Sequence, residues 1–351
     1  MERTRLGQVE VVWQRPATPG AAIKLSQVAA KFEPSKFARR ASWDIDQQVN
    51  KLWEAKRAKN SRLYNGDKFR LAGWYREEEK WVLEIGVTSY KDLCGTNLAH
   101  NARSLQERGS KDFGNAQAYM SDPIGVGVLV VTSDGFLVAV RRAGWTGEYP
   151  GALDRPGGHP EPERVLTTHH THSSLDDAVL KEVWTSAAHE VEDEVGIPKD
   201  QLDHLTLLGI VLNVEAGGRP SLEFFTRCGL SSSEVRHLYK RGCQAEVDET
   251  TSLHLLPPPT LASLPELLHS HSPTENCDVT ASAMWRRQEI IDSNGERGSG
   301  SGERGSGSGE REGEREARWV MEEASPALRG ALFLALQHNL LPHVTSAGEI
   351  V

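Results

Sequence analysis

Glu182, Ser186, Glu190 and Glu194 recur every fourth position, a spacing that would set them on one face of an α-helix. Beside them Val183, Ala187 and Val191, with Trp184, Ala188 and Val195, form an apolar stripe, so the helix would bury one face and keep an acidic edge along it. Carboxylates one turn apart converge on a point. Oxygen donors so placed suit a hard cation such as Mg2+, whose octahedron phosphate oxygens complete, and Glu190 and Glu194 are the expected ligands. Gly196 and Pro198 stop the helix. Upstream, the turn Gly157-Gly158 is followed by His159 and the acids Glu161 and Glu163. The short excursion from Asp154 to Glu161 falls at the end of a strand, where loops commonly line sites.

Several elements must hold these residues. Ile124 to Val131 and Phe136 to Val140 read as strands joined through Asp134-Gly135, a strong hairpin signal. Arg141 and Arg142 close the second strand, and because neighbouring strand residues face opposite ways only one of them can reach a pocket. Trp145 to Tyr149 is a loop bearing Gly147. Leu205 to Val214 and Leu222 to Gly229 predict another hairpin, Ser231 to Tyr239 a capped helix, and Leu253 to Leu256 a last strand ended by Pro257, Pro258 and Pro259. Nearer the N-terminus, Val9 to Trp13 and Ala22 to Leu25 suggest a hairpin. Asp44 and Gln47 open an amphipathic helix through Ile45, Val49, Leu52 and Trp53 to about Ala58. Lys68 to Ala72 and Trp81 to Val87 read as strands around the charged turn YREEEK, and Asn101 to Arg108 as a helix. Tyr90 is expected in a polar loop beside Asn97, as an aromatic or hydroxyl contact for a nucleotide, with Tyr64 as a second such tyrosine.

The segment HEVEDEVGI resembles the R-E-U-x-E-E-x-G-U half of the Nudix box, where U is aliphatic: Glu190, Val191, Glu194, Gly196 and Ile197 match, and Asp193 keeps a charge. His189 stands where the family has Arg, Lys181 where it has an isolated Glu with Glu182 the nearest substitute, and roughly two dozen residues separate the Gly-Gly turn from the helix. With DKFRL, LEIGVTSYKDLCGTN, AQAYMSDPIGVGV, FLVAVRRA and RPGGHPEP added, the chain from about Lys51 to about Cys228 is similar to the divergent, UDP-glucose pyrophosphatase branch of the Nudix hydrolases.

That resemblance implies an α/β fold, a Nudix α/β/α sandwich with a mixed sheet. Its expected parts are a smaller N-terminal α/β region covering the site (1–117) and a Nudix domain (118–293) with an interrupted box (157–197). A disordered Gly/Ser/Glu/Arg linker (294–317) and a C-terminal helix docking on the core (318–351) would follow. It implies Mg2+-dependent hydrolysis of UDP-glucose or UDP-galactose to UMP and a sugar 1-phosphate, with Mn2+ a possible substitute. Another nucleoside diphosphate derivative of the ADP-ribose type, or a module that binds nucleotide sugars without cleaving them, are the alternatives. Glu190 and Glu194 would hold the metal, and Asp193 and Glu182 are the candidate bases. Arg142 would share the charge stabilisation, with Tyr64, Tyr90, Gly147, Asp154, His159 and Glu161 shaping the substrate pocket.

With 351 residues the chain can bury a full core, and its formal charge of −9 excludes a nucleic-acid surface as the default. No apolar run approaches the ~18 residues of a membrane span and the N-terminus lacks a signal-peptide core. The expectation is a soluble intracellular protein, in cytoplasm and/or nucleus, acting on a small-molecule nucleotide sugar. Four scattered cysteines form no C-x-x-C pair and need no role beyond free thiols in a reduced compartment. His169, His170 and His172 lack the matching ligands of a zinc site, so the insertion reads as a polar loop. From Pro326, a stripe of Leu328, Ala331, Leu332, Ala335 and Leu336 predicts the docking helix.

Overall fold

The computed structural model describes residues 2–13, 21–166, 174–270 and 311–341. The histidine run of the insertion, most of the expected linker and the last residues lie outside the described residues.

Strands β6 (Gly125–Val131) and β7 (Leu137–Arg142) form the predicted hairpin, and β10 (Thr206–Asn213) with β11 (Arg219–Arg227) the second. β11 runs parallel to β6, and β12 (Thr250–Leu256) closes the edge against β7, so the sheet is mixed. On β6 every residue is buried. Val126, Val128 and Val130 face one core, Leu129 and Val131 the other, the period-two pattern of a strand covered on both faces. After the one-turn helix α4 (Glu163–Leu166), helix α5 (Leu175–Val195) covers the first face. The second is covered by α7 (Pro258–Ser270), α8 (Glu312–Glu323) and α9 (Pro326–Gln337), giving an α/β/α sandwich. β6 and β7 pair only at Val130–Val138 and Val131–Leu137. Where they part, the two-residue strands β8 (Leu153–Asp154) and β9 (Gly157–Gly158) pair with β7 and β6 respectively, and the candidate residues sit in that split.

The N-terminal expectations need correction. Val9–Trp13 (β2) pairs with Glu2–Leu6 (β1), not with Ala22 to Leu25; Ile23 makes only an isolated bridge to Leu207. A two-residue turn with Gly7 at φ +58° fixes that hairpin. Through β2 it extends the large sheet at β10, so these residues belong to the sandwich rather than to a separate N-terminal region. A short strand not anticipated, β3 (Val28–Phe32), lies parallel to β5 (Lys80–Ser89), which also pairs with β4 (Asp67–Glu77). The expected turn YREEEK narrows to Glu78-Glu79, with Glu78 at φ 53°. Helix α1 (Trp43–Lys59) buries Ile45, Val49 and Trp53 as predicted. Tyr90 is not in a loop but opens the short helix α2 (Tyr90–Gly95), capped by the Ser89 hydroxyl. Helix α3 (Ala102–Phe113) runs on to a left-handed Gly114. The linker was also drawn too far: from Glu312 onward the chain is helical, burying Ala317, Val320 and Met321.

The small sheet is tied to the sandwich through β4. Ile124 donates its N–H to Phe69 O at 2.8 Å, and Leu71 donates to Asp122 O at 3.1 Å. Buried Arg70 donates to the carbonyls of Met120, Phe37 and Gln117 and faces buried Asp122 at 3.5 Å. Burial pushes the Asp122 carboxyl up to about 7, although Arg70 and the Asn97 amide pull the other way. A folded-state value raised from 3.8 contributes stability that is present below the unfolded value and lost as pH rises through about 7. Asp122→Asn is therefore expected to remove a loss on the order of 3 kcal/mol between pH 4 and pH 8, read as a flatter pH profile of denaturant midpoints.

Candidate active site

Helix α5 spans 21 residues, capped by the Ser174 hydroxyl accepting from Asp177 N–H and ended by Gly196 at φ 84°. Val179, Val183, Ala187, Val191 and Val195 are buried against the sheet, which turns the acidic edge toward the split between β6 and β7. Glu194 is 2 % exposed and its Oε2 has no hydrogen-bond partner among the described residues. Glu190 lies against the Gly-Gly strand β9: a Cβ on Gly158 would fall 2.4 Å from Glu190 Oε1, so only glycine leaves room for that carboxylate. A third acid, Glu246, reaches the same point. Glu190, Glu194 and Glu246 each offer an oxygen, all within 4.8 Å of one another. Glu246 arrives on the segment between α6 (Ser232–Lys240) and β12, held by its N–H donating to Asp193 O at 2.9 Å and by Ala143 N–H donating to Glu249 O at 2.8 Å.

Three carboxylates this close repel one another. Burial, then Glu246, Asp193 and Glu249, push Glu190 up to about 8, and burial with Glu190 pushes Glu194 well above its ordinary range. Glu246 is raised by burial and then by Glu249, Asp193 and Glu161. A divalent cation would relieve that repulsion and satisfy the orphaned Glu194 oxygen, so the donor set fits a hard metal ion. Asp193 borders the group and raises both Glu190 and Glu246, whereas Glu182, two turns earlier, stays outside it. The Glu182 carboxylate faces Arg164 at 3.9 Å; Arg164 also reaches Glu161 at 3.3 Å and His189 Nδ1 at 3.4 Å.

Opposite the acids stand cations. Arg142 points to the Glu194 side and opposes its rise, donating from Nε to Glu148 O at 3.0 Å. Arg141 points the other way, to Glu323 at 2.6 Å, as strand alternation requires. His159 Nε2 lies 2.9 Å from Arg219 Nη1. A guanidinium can only donate, so Nε2 accepts and the ring proton sits on Nδ1. Burial and the charges of Arg219, Lys68, Arg142 and Arg155 push this imidazole well below its usual range, leaving it neutral. Arg219 is in turn paired with Glu148 at 2.8 Å. Asp154 is buried and committed within the protein, to Arg155 at 3.1 Å, Ser325 Oγ at 2.8 Å and Arg142 at 3.6 Å.

A cleft of ≈ 290 Å³ lined by Tyr64, Lys68, Tyr90, Glu161 and Glu163 adjoins these groups. Tyr64 is 71 % exposed and donates to Glu163 at 3.3 Å. Tyr90 is half-buried, its hydroxyl pushed up to about 12 mainly by burial. The loop glycine Gly147 lies beside that hydroxyl, 3.8 Å from where its Cβ would be. A larger cleft of ≈ 480 Å³ in the N-terminal region contains none of the clustered carboxylates, and its Arg39 is already paired with Asp46 and Asp92 at 2.7 Å each.

Sequence reasoning missed Glu246, Arg219 and Glu148. The acidic run Glu246, Asp248, Glu249 was the only signal for the first, and it has no helical or strand period to aim it.

No family model matches the chain. Curated relatives do. It is 37% identical over 242 residues to the uridine diphosphate glucose pyrophosphatase NUDT22 of Bos taurus, covering 67% of this chain and 83% of the relative. It is 36% identical to the protein of that name from Homo sapiens, over 67% and 79% of the two chains. Nudix hydrolase 9 of Arabidopsis thaliana is 32% identical over 65% of this chain and 78% of its own. The chain belongs to the Nudix hydrolase family. Nudix hydrolases generally use divalent metal ions, in keeping with the group formed by Glu190, Glu194 and Glu246. Among solved structures, the NUDIX domain of Shewanella oneidensis NrtR is 11% identical over 53% of this Nudix hydrolase and 96% of that chain, with a TM-score of 0.27. No helix among the described residues is long and apolar enough to cross a membrane.

Proposed function

We propose that this Nudix hydrolase cleaves the diphosphate of UDP-glucose or UDP-galactose to UMP and a sugar 1-phosphate, with Mg2+ as its ion and Mn2+ able to replace it. The observation that carries the reading is the trio Glu190, Glu194 and Glu246, with Glu194 buried and the other two half-buried, beside Arg142, which acts on Glu194 and, with Arg219 and Lys68, on His159. A site with acids on one side and guanidinium on the other is built for an anion that arrives with its own metal. The relatives named for UDP-glucose pyrophosphatase activity support uridine as the nucleoside.

Bound Mg2+ would neutralise diphosphate charge and lower the pKa of an attacking water. Glu190 and Glu194 would hold it, with Glu246 as a third donor from outside the helix. Of the two candidate bases, Asp193 would take the proton of the water, a reading supported by its position at the border of the trio, whereas Glu182 faces Arg164 outside it. Arg142 stabilises charge building on the phosphoryl oxygens, and a fixed guanidinium needs little reorganisation to do so. His159 contributes a neutral Nδ1–H donor and, with its Nε2 lone pair committed to Arg219, cannot serve as the base. Tyr64, Tyr90, Gly147 and Glu161 line the space for nucleoside and sugar, while Asp154 acts from behind Arg142.

Initial rates on UDP-glucose, UDP-galactose and ADP-ribose at equal concentration, with Mg2+, test the assignment. The UDP-sugars are expected to lead by roughly tenfold or more, since a polar pocket rejects a base that leaves its groups unpaired. A preference for ADP-ribose would overturn it.

A further inference from the structure

The C-terminal helices are wired to the reaction centre. Helix α9 starts at Ser325, whose hydroxyl uses both its capacities: it accepts from Leu328 N–H at 3.0 Å as helix cap and donates to Asp154 Oδ1 at 2.8 Å. The same Oδ1 accepts from Arg155 N–H at 3.0 Å and from Arg155 Nη1 at 3.1 Å. Three donors fix Oδ1, which leaves Oδ2 turned to Arg142 Nη1 at 3.6 Å. The backbone repeats the attachment, because Ser325 N–H donates to Leu153 O at 2.8 Å and Ala324 bridges Leu153 in parallel. Helix α8 grips the neighbouring residue, with Glu323 on Arg141 at 2.6 Å and the Arg141 guanidinium 5.6 Å from the Trp319 ring. Arg142 thus stands between two residues that the C-terminal segment holds in place.

We infer that Ser325 is a positioning residue for catalysis: its hydroxyl, through Asp154, sets the Arg142 guanidinium beside Glu194, making the C-terminal helix pair part of the active site. This rests on the reading of Arg142 as the group that stabilises diphosphate charge. Ser325 is 1 %, Asp154 4 % and Glu194 2 % exposed, while the Arg142 side chain keeps 21 % exposure, so water cannot replace the donor lost at Asp154 without entering the core. A guanidinium displaced by a fraction of an ångström would bind the ground state nearly as well and the transition state worse.

The full-length protein separates this from a plain capping role. Glycine is nearly as good a helix cap as serine, whereas alanine is not. Ser325→Gly and Ser325→Ala are therefore expected to differ in Tm, with alanine lower, yet to share a loss of roughly tenfold in kcat for UDP-glucose at little-changed KM. In an Arg142→Ala background neither change should lower kcat further. Wild-type kcat in Ser325→Gly, or a loss that persists undiminished without Arg142, would overturn the inference. Should the wild type release no UMP from UDP-glucose, it is the proposed function that fails. The same cycle read as kcat on ADP-ribose still decides the inference: a loss in Ser325→Gly that disappears in the Arg142→Ala background upholds it, and wild-type kcat in Ser325→Gly or an undiminished loss without Arg142 refutes it.

Discussion

Glu194→Gln is expected to lower turnover of UDP-glucose by roughly 10³-fold or more while raising the stability of the metal-free protein. Both effects follow from one placement. Glu194 is 2 % exposed, beside Glu190 and Glu246, with an oxygen that no donor among the described residues satisfies. Its ionised form is unfavourable in the folded chain until a cation arrives, so a neutral amide removes a cost and a ligand together. The same physics gives a pH dependence. Glu190 is raised from 4.5 to about 8, so the stability it contributes is present below 4.5 and lost as pH rises through about 8 in metal-free protein. Added Mg2+ is expected to restore it, raising Tm most at the alkaline end, and to do little for Glu194→Gln. Calorimetric scans at several pH values, with and without Mg2+, check both; an equal Mg2+ shift in the variant would remove Glu194 from the metal site.

Glu246→Gln is the second large effect, expected near 10²-fold in kcat, since the acid completes the carboxylate group from outside the helix. Its backbone anchor to Asp193 does not involve the side chain, so the fold should survive the change. The Mg2+ concentration for half-maximal rate is expected to rise with the loss. A variant with wild-type rate at low Mg2+ would leave Glu246 as a bystander that merely shares the pocket.

What the sequence showed depended on whether a signal was periodic. Helix α5 was legible because its valines and its acids both repeat at helical spacing and Gly196 marks its end. The β6–β7 hairpin was legible from Asp134-Gly135, and the opposed directions of Arg141 and Arg142 follow from the pleat alone. Glu246 was not legible, because its approach to Glu190 depends on how the segment after α6 lies along the end of α5. Arg219 and Glu148 meet His159 only in three dimensions, and no local pattern links them. β3 is five residues long and its partner is parallel and distant in sequence. Helix α8 hid behind the Gly, Ser, Glu and Arg composition that precedes it, although Ala317, Val320, Met321 and Ala324 already form its buried stripe. Asp154 was recognised as near the site, but its burial among Arg155, Ser325 and Arg142 belongs to the folded chain.

The central claim, that a carboxylate-bound divalent ion drives cleavage of a UDP-sugar diphosphate, is tested most directly by product analysis after incubating the purified protein with UDP-glucose and Mg2+ beside Glu194→Gln. UMP and glucose 1-phosphate in equal amounts from the wild type, absent with chelator and absent from the variant, is the result expected. UDP and free glucose as products, or UMP release that survives Glu194→Gln, would contradict it.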